Sequence, residues 1–479
     1  MKLKPYLEYK DSGVPWLRKI PKGWEIYRGK WLFKKADRPI REEDDVVTCF
    51  RDGIVTLRKK RRTTGFTESL KEIGYQGIRK GDLVIHQMDA FAGAIGVSDS
   101  DGKATPVYSV CLPKEQKLNT MYYAHIVREM ARSEYILSLT KGIRERSTDF
   151  RFDTFANQYL PTPKRDEQNQ IARFLDCKAS QIASFIRAKK RMIELLKEQK
   201  QAIINQAVTR GINPEVKMNP GEVDWLGDIP EHWDIVPLKS LGRFQNGISE
   251  SADYFGSGYP FISYGDVYSN MSLPLKVEGL ARSSDKERRR LSVQEGDVFF
   301  TRTSETIEEI GISSVCLESI KDAIFSGFII RFRPTKKILT KEYSKYYFRS
   351  FISREFFVKE MNIVTRASLA QGLLKRFPVL LPPASEQKEI FDFLEITSMR
   401  IDLAIEKAQH QIDLLQQYRT RLISDVVTGK VDVRSIKVED VTDEELLENM
   451  PDTEEIPACA EASAGRKEVE DDVEKICNE

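Results

Sequence analysis

Cations are the residues of this chain with most chemistry to offer, and they come in clusters. In "TLRKKRRTTGF" (Thr56–Phe66) five stand in a row: Arg58, Lys59, Lys60, Arg61 and Arg62. "GIRERSTDFRF" (Gly142–Phe152) adds Arg144, Arg146 and Arg151. "ARSSDKERRRL" (Ala281–Leu291) brings Arg288, Arg289 and Arg290, and Arg302 follows between Thr301 and Thr303. All lie among Ser and Thr hydroxyls, the mixture that grips phosphate oxygens, while Arg and Gln can also reach base edges. Any one cluster could equally be a solvated charged loop. Clusters in both halves of the chain favour a polyanion, DNA first.

Residue patterns for turnover are missing. The four histidines (His86, His125, His232, His410) and six cysteines (Cys49, Cys111, Cys177, Cys316, Cys459, Cys477) show no metal-ligand spacing, so the thiols read as free ones in a reducing compartment. No Gly-x-x-x-x-Gly-Lys-Ser/Thr phosphate loop occurs, and "GSGYPF" (Gly256–Phe261), lacking the third glycine of a dinucleotide fingerprint, reads as a loop. No Asn-Pro-Pro-Tyr or Asp-Pro-Pro-Tyr is available to grip an extruded base; "LPPA" at Leu381 reads as a strand-to-helix junction. "PDTEE" at Pro451 has no lysine placed as in a Mg-dependent nuclease. His86 and Gln87, closing "DLVIHQ", could read a base, but a place in the core is the simpler reading. The pattern points to binding without catalysis and without a cofactor.

The elements that must position these cations follow from a duplication. Trp-Leu-x-x-Ile-Pro-x-x-Trp-x-Ile occurs at Trp16–Ile26 and again at Trp225–Ile235. "LPTPKRDEQNQIARFL" (Leu160–Leu175) matches "LPPASEQKEIFDFL" (Leu381–Leu394), and "GDLVI" at Gly81 matches "GDVFF" at Gly296. The register drifts between markers, so a common frame carries replaced interiors; residues 39–70 and 246–290 align with almost nothing. β-rich runs such as "DLVIHQM", "VYSVCL", "DVFFTR" and "GFIIRFRP" alternate with helical stretches from Met121 and Lys341.

Each half ends in a heptad seam. Leu175, Ile182, Leu196 and Ile203 interleave with Ile186 and Ile193, interrupted by Lys189 and Lys200. Leu394, Ile401, Leu415 and Leu422 interleave with Ser398, Ile405 and Ile412. No Pro or Gly interrupts either run, and "VTRG" and "VTGK" close them with a glycine. Two helices of about 40 residues, ~60 Å each, should bury these stripes on one another. Beyond them the charge changes sign. From Val438 onward sixteen acids face three bases, leaving the preceding body near +15 out of a net +2. That tail, residues 431–479, reads as disordered. There is no apolar run for a signal peptide or membrane span, so a cytoplasmic, bacterial or archaeal protein is expected.

These ordered motifs, from Met1 to about Val433, resemble the specificity subunits of type I restriction-modification systems. The resemblance implies a mixed α/β (α+β) fold with an internal pseudo-twofold repeat. Two target-recognition domains (residues 1–163 and 212–383) would be separated by spacer helices (164–211 and 384–430) forming an antiparallel coiled coil. Each domain would read half of a bipartite site in double-stranded DNA, while the helices set the spacing and dock two modification (adenine-N6 methyltransferase) subunits. Restriction (translocase and endonuclease) subunits would join that core. S-adenosylmethionine, ATP and Mg would serve those partners. Rods of ~60 Å span at most about 17 base pairs at ~3.4 Å each. Lys189, Lys200 and Ser398 would set helix register. The residues themselves also allow a stand-alone DNA-binding regulator or a coiled-coil scaffold.

Overall fold

The computed structural model describes residues 3–61, 73–139, 149–220, 227–304, 309–360 and 367–438. Arg62, Arg144 and Arg146 lie outside them, as does the acidic tail beyond Val438. The chain forms two compact units: residues 1–189 together with 410 onward, and residues 190–409.

The first unit is built on strands β1 (Phe33–Lys35), β2 (Leu83–His86), β3 (Ile95–Val97) and β4 (Tyr108–Pro113). They form an antiparallel sheet in the order β1-β4-β2-β3. In the second unit, β5 (Gly242–Asn246), β6 (Val298–Thr301), β7 (Ser313–Val315) and β8 (Ile329–Pro334) repeat that topology as β5-β8-β6-β7. The two Gly-Asp markers open the central strands in matching ways. Asp82 accepts the Arg79 amide and Asp297 the Gln294 amide, both at 2.8 Å, and each aspartate is paired with an arginine, Arg38 at 2.8 Å and Arg333 at 2.6 Å.

Each sheet is covered on both faces, which is why its central strands are apolar throughout instead of alternating. Leu83 and Ile85 join a core with the helix Thr120–Arg132, whereas Val84 and Val110 face a second core with the hairpin Val47–Cys49/Val55–Leu57. In the second unit Val298 and Phe300 pack with the helix Lys341–Tyr347, while Phe299 and Ile329 turn towards a different layer. Each such buried Phe or Leu contributes about 1.5–3 kcal/mol. One face of each sheet thus carries the common frame and the other the replaced layer, so duplication and divergence share the same strands. In the second unit's layer "GSGYPF" lies within a strand, Phe255–Ile262, and not in a loop. The β-formers Phe255, Tyr259 and Phe261 hold it extended, and the glycines occupy a register shift between Phe255 and Tyr259.

The longest elements are α1 (Arg165–Arg210, 46 residues) and α2 (Ala384–Val427, 44 residues), ~69 and ~66 Å at 1.5 Å per residue. Their apolar stripes are covered. In the first unit Leu175 and Ile182 of α1 are buried and Ile186 half-buried, as are Ile412, Leu422 (buried) and Leu415 (half-buried) of α2. In the second, Ile193 is buried beside half-buried Leu196 and Ile203, with Leu394, Ser398 and Ile401 buried and Ile405 half-buried. The start of α1 (Ile171, Phe174, Leu175) shares a core with the end of α2 (Leu422, Val426, Val427). The end of α1 (Ile204, Ala207, Val208) shares another with the start of α2 (Ile390, Leu394). Start therefore meets end in both units, the antiparallel sense. Lys200, at a seam position, is satisfied by Asp402 at 2.7 Å.

The repeated phrase is explained at these helix starts. The Trp24 indole N–H donates to Glu167 at 2.9 Å, and Trp233 to Glu386 at 3.1 Å. Tyr6 adds a second donor to Glu167 at 2.7 Å and His232 lies 2.7 Å from Glu386. The neighbouring glutamines, Gln168 and Gln387, each accept the backbone N–H of the residue whose side chain caps a framework helix, Asn119 and Thr340, both at 3.0 Å. The same tryptophans also receive the far helix ends. Gly211 and Gly429 both sit at φ +75°, and a Cβ on Gly429 would lie 2.4 Å from Pro21 and 3.1 Å from Trp24. Glycine is required there by conformation and by space.

Candidate nucleic-acid interface

Two of the cation clusters, Arg58–Arg61 and Arg288–Arg290, belong to the replaced layers. Arg58–Arg61 form one helical turn directly after the strand Val55–Leu57. Acidic side chains brought in from separate loops pair with Lys59, Lys60 and Arg61. Lys59 pairs with Asp45, whose carboxyl is thereby held below its usual range. Lys60 reaches Asp99 at 3.3 Å and Ser100 at 2.8 Å. Arg61 is bound to Asp52 at 2.9 Å and lies 4.3 Å over Phe50, with 8% of its side chain exposed. Arg58 donates to Thr48 at 3.2 Å. Lys59 and Lys60 are exposed and can exchange a carboxylate for a phosphate; Arg61 would have to leave its packing first.

The second cluster sits on a short helix, Asp285–Arg290, started by a capping box in which Ser284 and Glu287 satisfy each other's backbone N–H. That places three arginines in its last turn, where the helix dipole favours cations. Arg288 folds back 3.6 Å over Tyr259 and pairs with Asp285. Arg289 and Arg290 are exposed and make no ion pair among the described residues. Arg302 follows β6, half-buried, with its guanidinium 3.5 Å from the Gly327 carbonyl. His86 is buried, 3% exposed, its Nδ1 accepting the Asp89 amide at 3.1 Å, and burial lowers its pKa. Gln87 is half-buried and donates to the Pro106 carbonyl at 3.1 Å.

Two surface features gave no local signal in the sequence. Ile396, Met399 and Leu403, spaced three and four apart on α2, are 53, 66 and 49% exposed, and Met192 and Leu195 of α1 are exposed in the same unit. The helices therefore carry apolar surface beyond the seam they bury. Tyr27, Trp31 and Tyr159 are exposed on the first unit, with Arg28 5.1 Å over Tyr159. Among the described residues no cluster of His, Cys, Asp and Glu is placed to hold a metal ion, and no helix is long and apolar enough to cross a membrane.

Unlike layers carrying cations stand on a duplicated frame. Residues 230–413 match the family model of the type I restriction modification DNA specificity domain. The EcoKI specificity subunit of Escherichia coli (strain K12) is 26% identical over 287 residues, 58% of either chain. The MjaVIII specificity subunit of Methanocaldococcus jannaschii is 23% identical over 439 residues, 87% of this chain and 95% of that one. In fold, the chain resembles a chain from a structure on the complex assembly and conformational transition of the type I R-M system (TM-score 0.64, 14% identity, 86% of this chain and 99% of that one). The HsdS subunit of Thermoanaerobacter tengcongensis is also similar (TM-score 0.51, 14% identity, 86 and 98% covered). The chain thus carries a type I restriction modification DNA specificity domain over residues 230–413 and is similar over most of its length to specificity subunits of type I restriction enzymes; it spans 58% of the EcoKI subunit's length.

Proposed function

We propose that residues 1–163 and 212–383 are two target-recognition domains, each reading one half of a bipartite duplex site. The observation that carries this is the two-faced sheet: the same frame twice, with different cation-bearing layers on its far face. Arg58–Arg62, Arg144 and Arg146 in the first domain, and Arg288–Arg290 and Arg302 in the second, contact the DNA, chiefly at phosphates that hold the duplex in register. α1 and α2 set the distance between half-sites, with Lys189, Lys200 and Ser398 fixing helix register, and the chain itself performs no catalysis. The apolar strip of Ile396, Met399 and Leu403 suits docking of adenine-N6 methyltransferase subunits, which restriction subunits join; those partners use S-adenosylmethionine, ATP and Mg. On this reading the protein works in the cytoplasm.

Mapping methylated adenines in host DNA with and without this gene tests the reading. A bipartite motif that vanishes with the gene is expected, and unchanged methylation would refute it. Deleting seven residues from one helix should change the unread spacer. The chain alone should bind DNA weakly and with a steep salt dependence, and sharpen on addition of methyltransferase. Tight specific binding by the chain alone would favour a stand-alone regulator.

A further inference from the structure

We infer that Gln87 and Arg302 are equivalent base-reading residues, one in each unit, and that the sheet end they occupy is the specificity edge; this rests on the proposed reading of DNA. Counting from the duplicated Gly-Asp markers, Gln87 stands six residues after Gly81 and Arg302 six after Gly296. Their backbones are held alike. The Gln87 amide donates to the Val107 carbonyl at 2.9 Å and the Arg302 amide to Phe328 at 2.8 Å. Their carbonyls accept the amides of Phe150 at 3.1 Å and Leu369 at 2.7 Å. Even the side chains follow one path. Gln87 Nε2 reaches the Pro106 carbonyl at 3.1 Å, and Arg302 Nη1 the corresponding Gly327 carbonyl at 3.5 Å.

The residue types separate this position from the frame around it. At several framework positions the two halves keep the same residue: Trp24 and Trp233, Asp82 and Asp297, Glu167 and Glu386, Gln168 and Gln387. Here the backbone bonds are kept and the side chain is exchanged. The exchange is between two side chains with distinct base preferences, Gln for the N6 and N7 of adenine and Arg for the O6 and N7 of guanine. The site is open: Met88 beside Gln87 is 42% exposed, and Phe328 beside Arg302 is 61% exposed. Readers of unlike half-sites must differ, and these two side chains differ in the way that base readout requires.

The test uses the full chain assembled with its methyltransferase. Duplexes carrying 7-deazaguanine at single positions of one half-site, or 7-deazaadenine in the other, should each show one position where binding falls about tenfold or more. In Arg302→Lys, which keeps the charge but loses the bidentate fork, that guanine should lose its preference by about ten- to a hundredfold while the other half-site is unchanged. Gln87→Ala should relax one position of the opposite half-site in the same way. An unchanged motif in both variants, with methylation kept or uniformly reduced, would overturn the inference, as would wild-type binding indifferent to N7 at every position. Loss of the proposed function itself is distinguishable, since the wild-type complex would then methylate no bipartite motif.

Discussion

The Glu167 carboxylate is a sharp place to test how the repeated phrase works. It accepts the indole N–H of Trp24, 1% exposed, and the hydroxyl of Tyr6, 7% exposed. Glu167→Ala strands both donors in a buried place. Hydrogen bonds to a charged group contribute about 1.5–3 kcal/mol each, and relief from burying the carboxylate offsets part of two such losses, leaving about 3 kcal/mol. For a unit of some 200 residues that lowers the melting temperature by roughly 6–12 °C. Calorimetry on the full chain should show this in one transition, with Glu167→Gln, which retains an acceptor, losing about 1 kcal/mol. A double-mutant cycle with Trp24→Phe should be strongly non-additive, because the second change removes a group already unpaired. A Glu167→Ala shift below about 2 °C, or additivity in the cycle, would show that the indole and carboxylate do not act as a pair.

Three further outcomes follow from local geometry. Arg18 holds φ +57° where the second copy has Gly227 at φ +67°, so Arg18→Gly should raise stability by about 1 kcal/mol, read as a higher denaturation midpoint; no gain would mean the conformation is unstrained. Burial pushes the Asp176 carboxyl up to about 6, so folding disfavours its ionised form, and the cost is present above pH 6, declines between 6 and 4 and is gone below. Asp176→Asn should therefore stabilise at pH 8, with the advantage fading towards pH 4; an advantage independent of pH would contradict it. Lys200→Leu should stabilise the helix pairing by up to about 1 kcal/mol in urea titrations, since the ion pair to the exposed Asp402 contributes little, and a loss would mean that the pair outweighs apolar contact.

Much of the frame was legible in the sequence because it depends on periodicity. Seam residues Leu175 to Leu422 announce themselves at seven-residue spacing, and the Gly-Asp markers do open the central strands. Ile204, buried at 3% where the pattern marks Ile203, shows how a straight helix drifts from a strict heptad repeat. Pairings across long separations were not legible. Nothing local in "RKKRR" reveals that Asp45, Asp52 and Asp99 come to meet it, so charge density overstates the free cation. The bond from Trp24 to a carboxylate 143 residues away was likewise hidden, although both partners were visible as repeats. For "GSGYPF" the glycines outweighed the aromatic alternation that tertiary pairing used to make a strand. Gln87 went unremarked as a counterpart of Arg302 because sequence comparison notes matches, and this position matters by differing.

The first unit closes only when the end of α2 reaches it: Leu422, Val426 and Gly429 lie against Trp24 and its neighbours. The second unit needs only residues 190–409, one uninterrupted stretch. On a ribosome adding about 5–20 residues per second, the amino-terminal part therefore waits some tens of seconds for its missing helix after its own strands have emerged. The later-made unit can finish first, and the nascent chain completes its folding in the reverse of the order in which it is read.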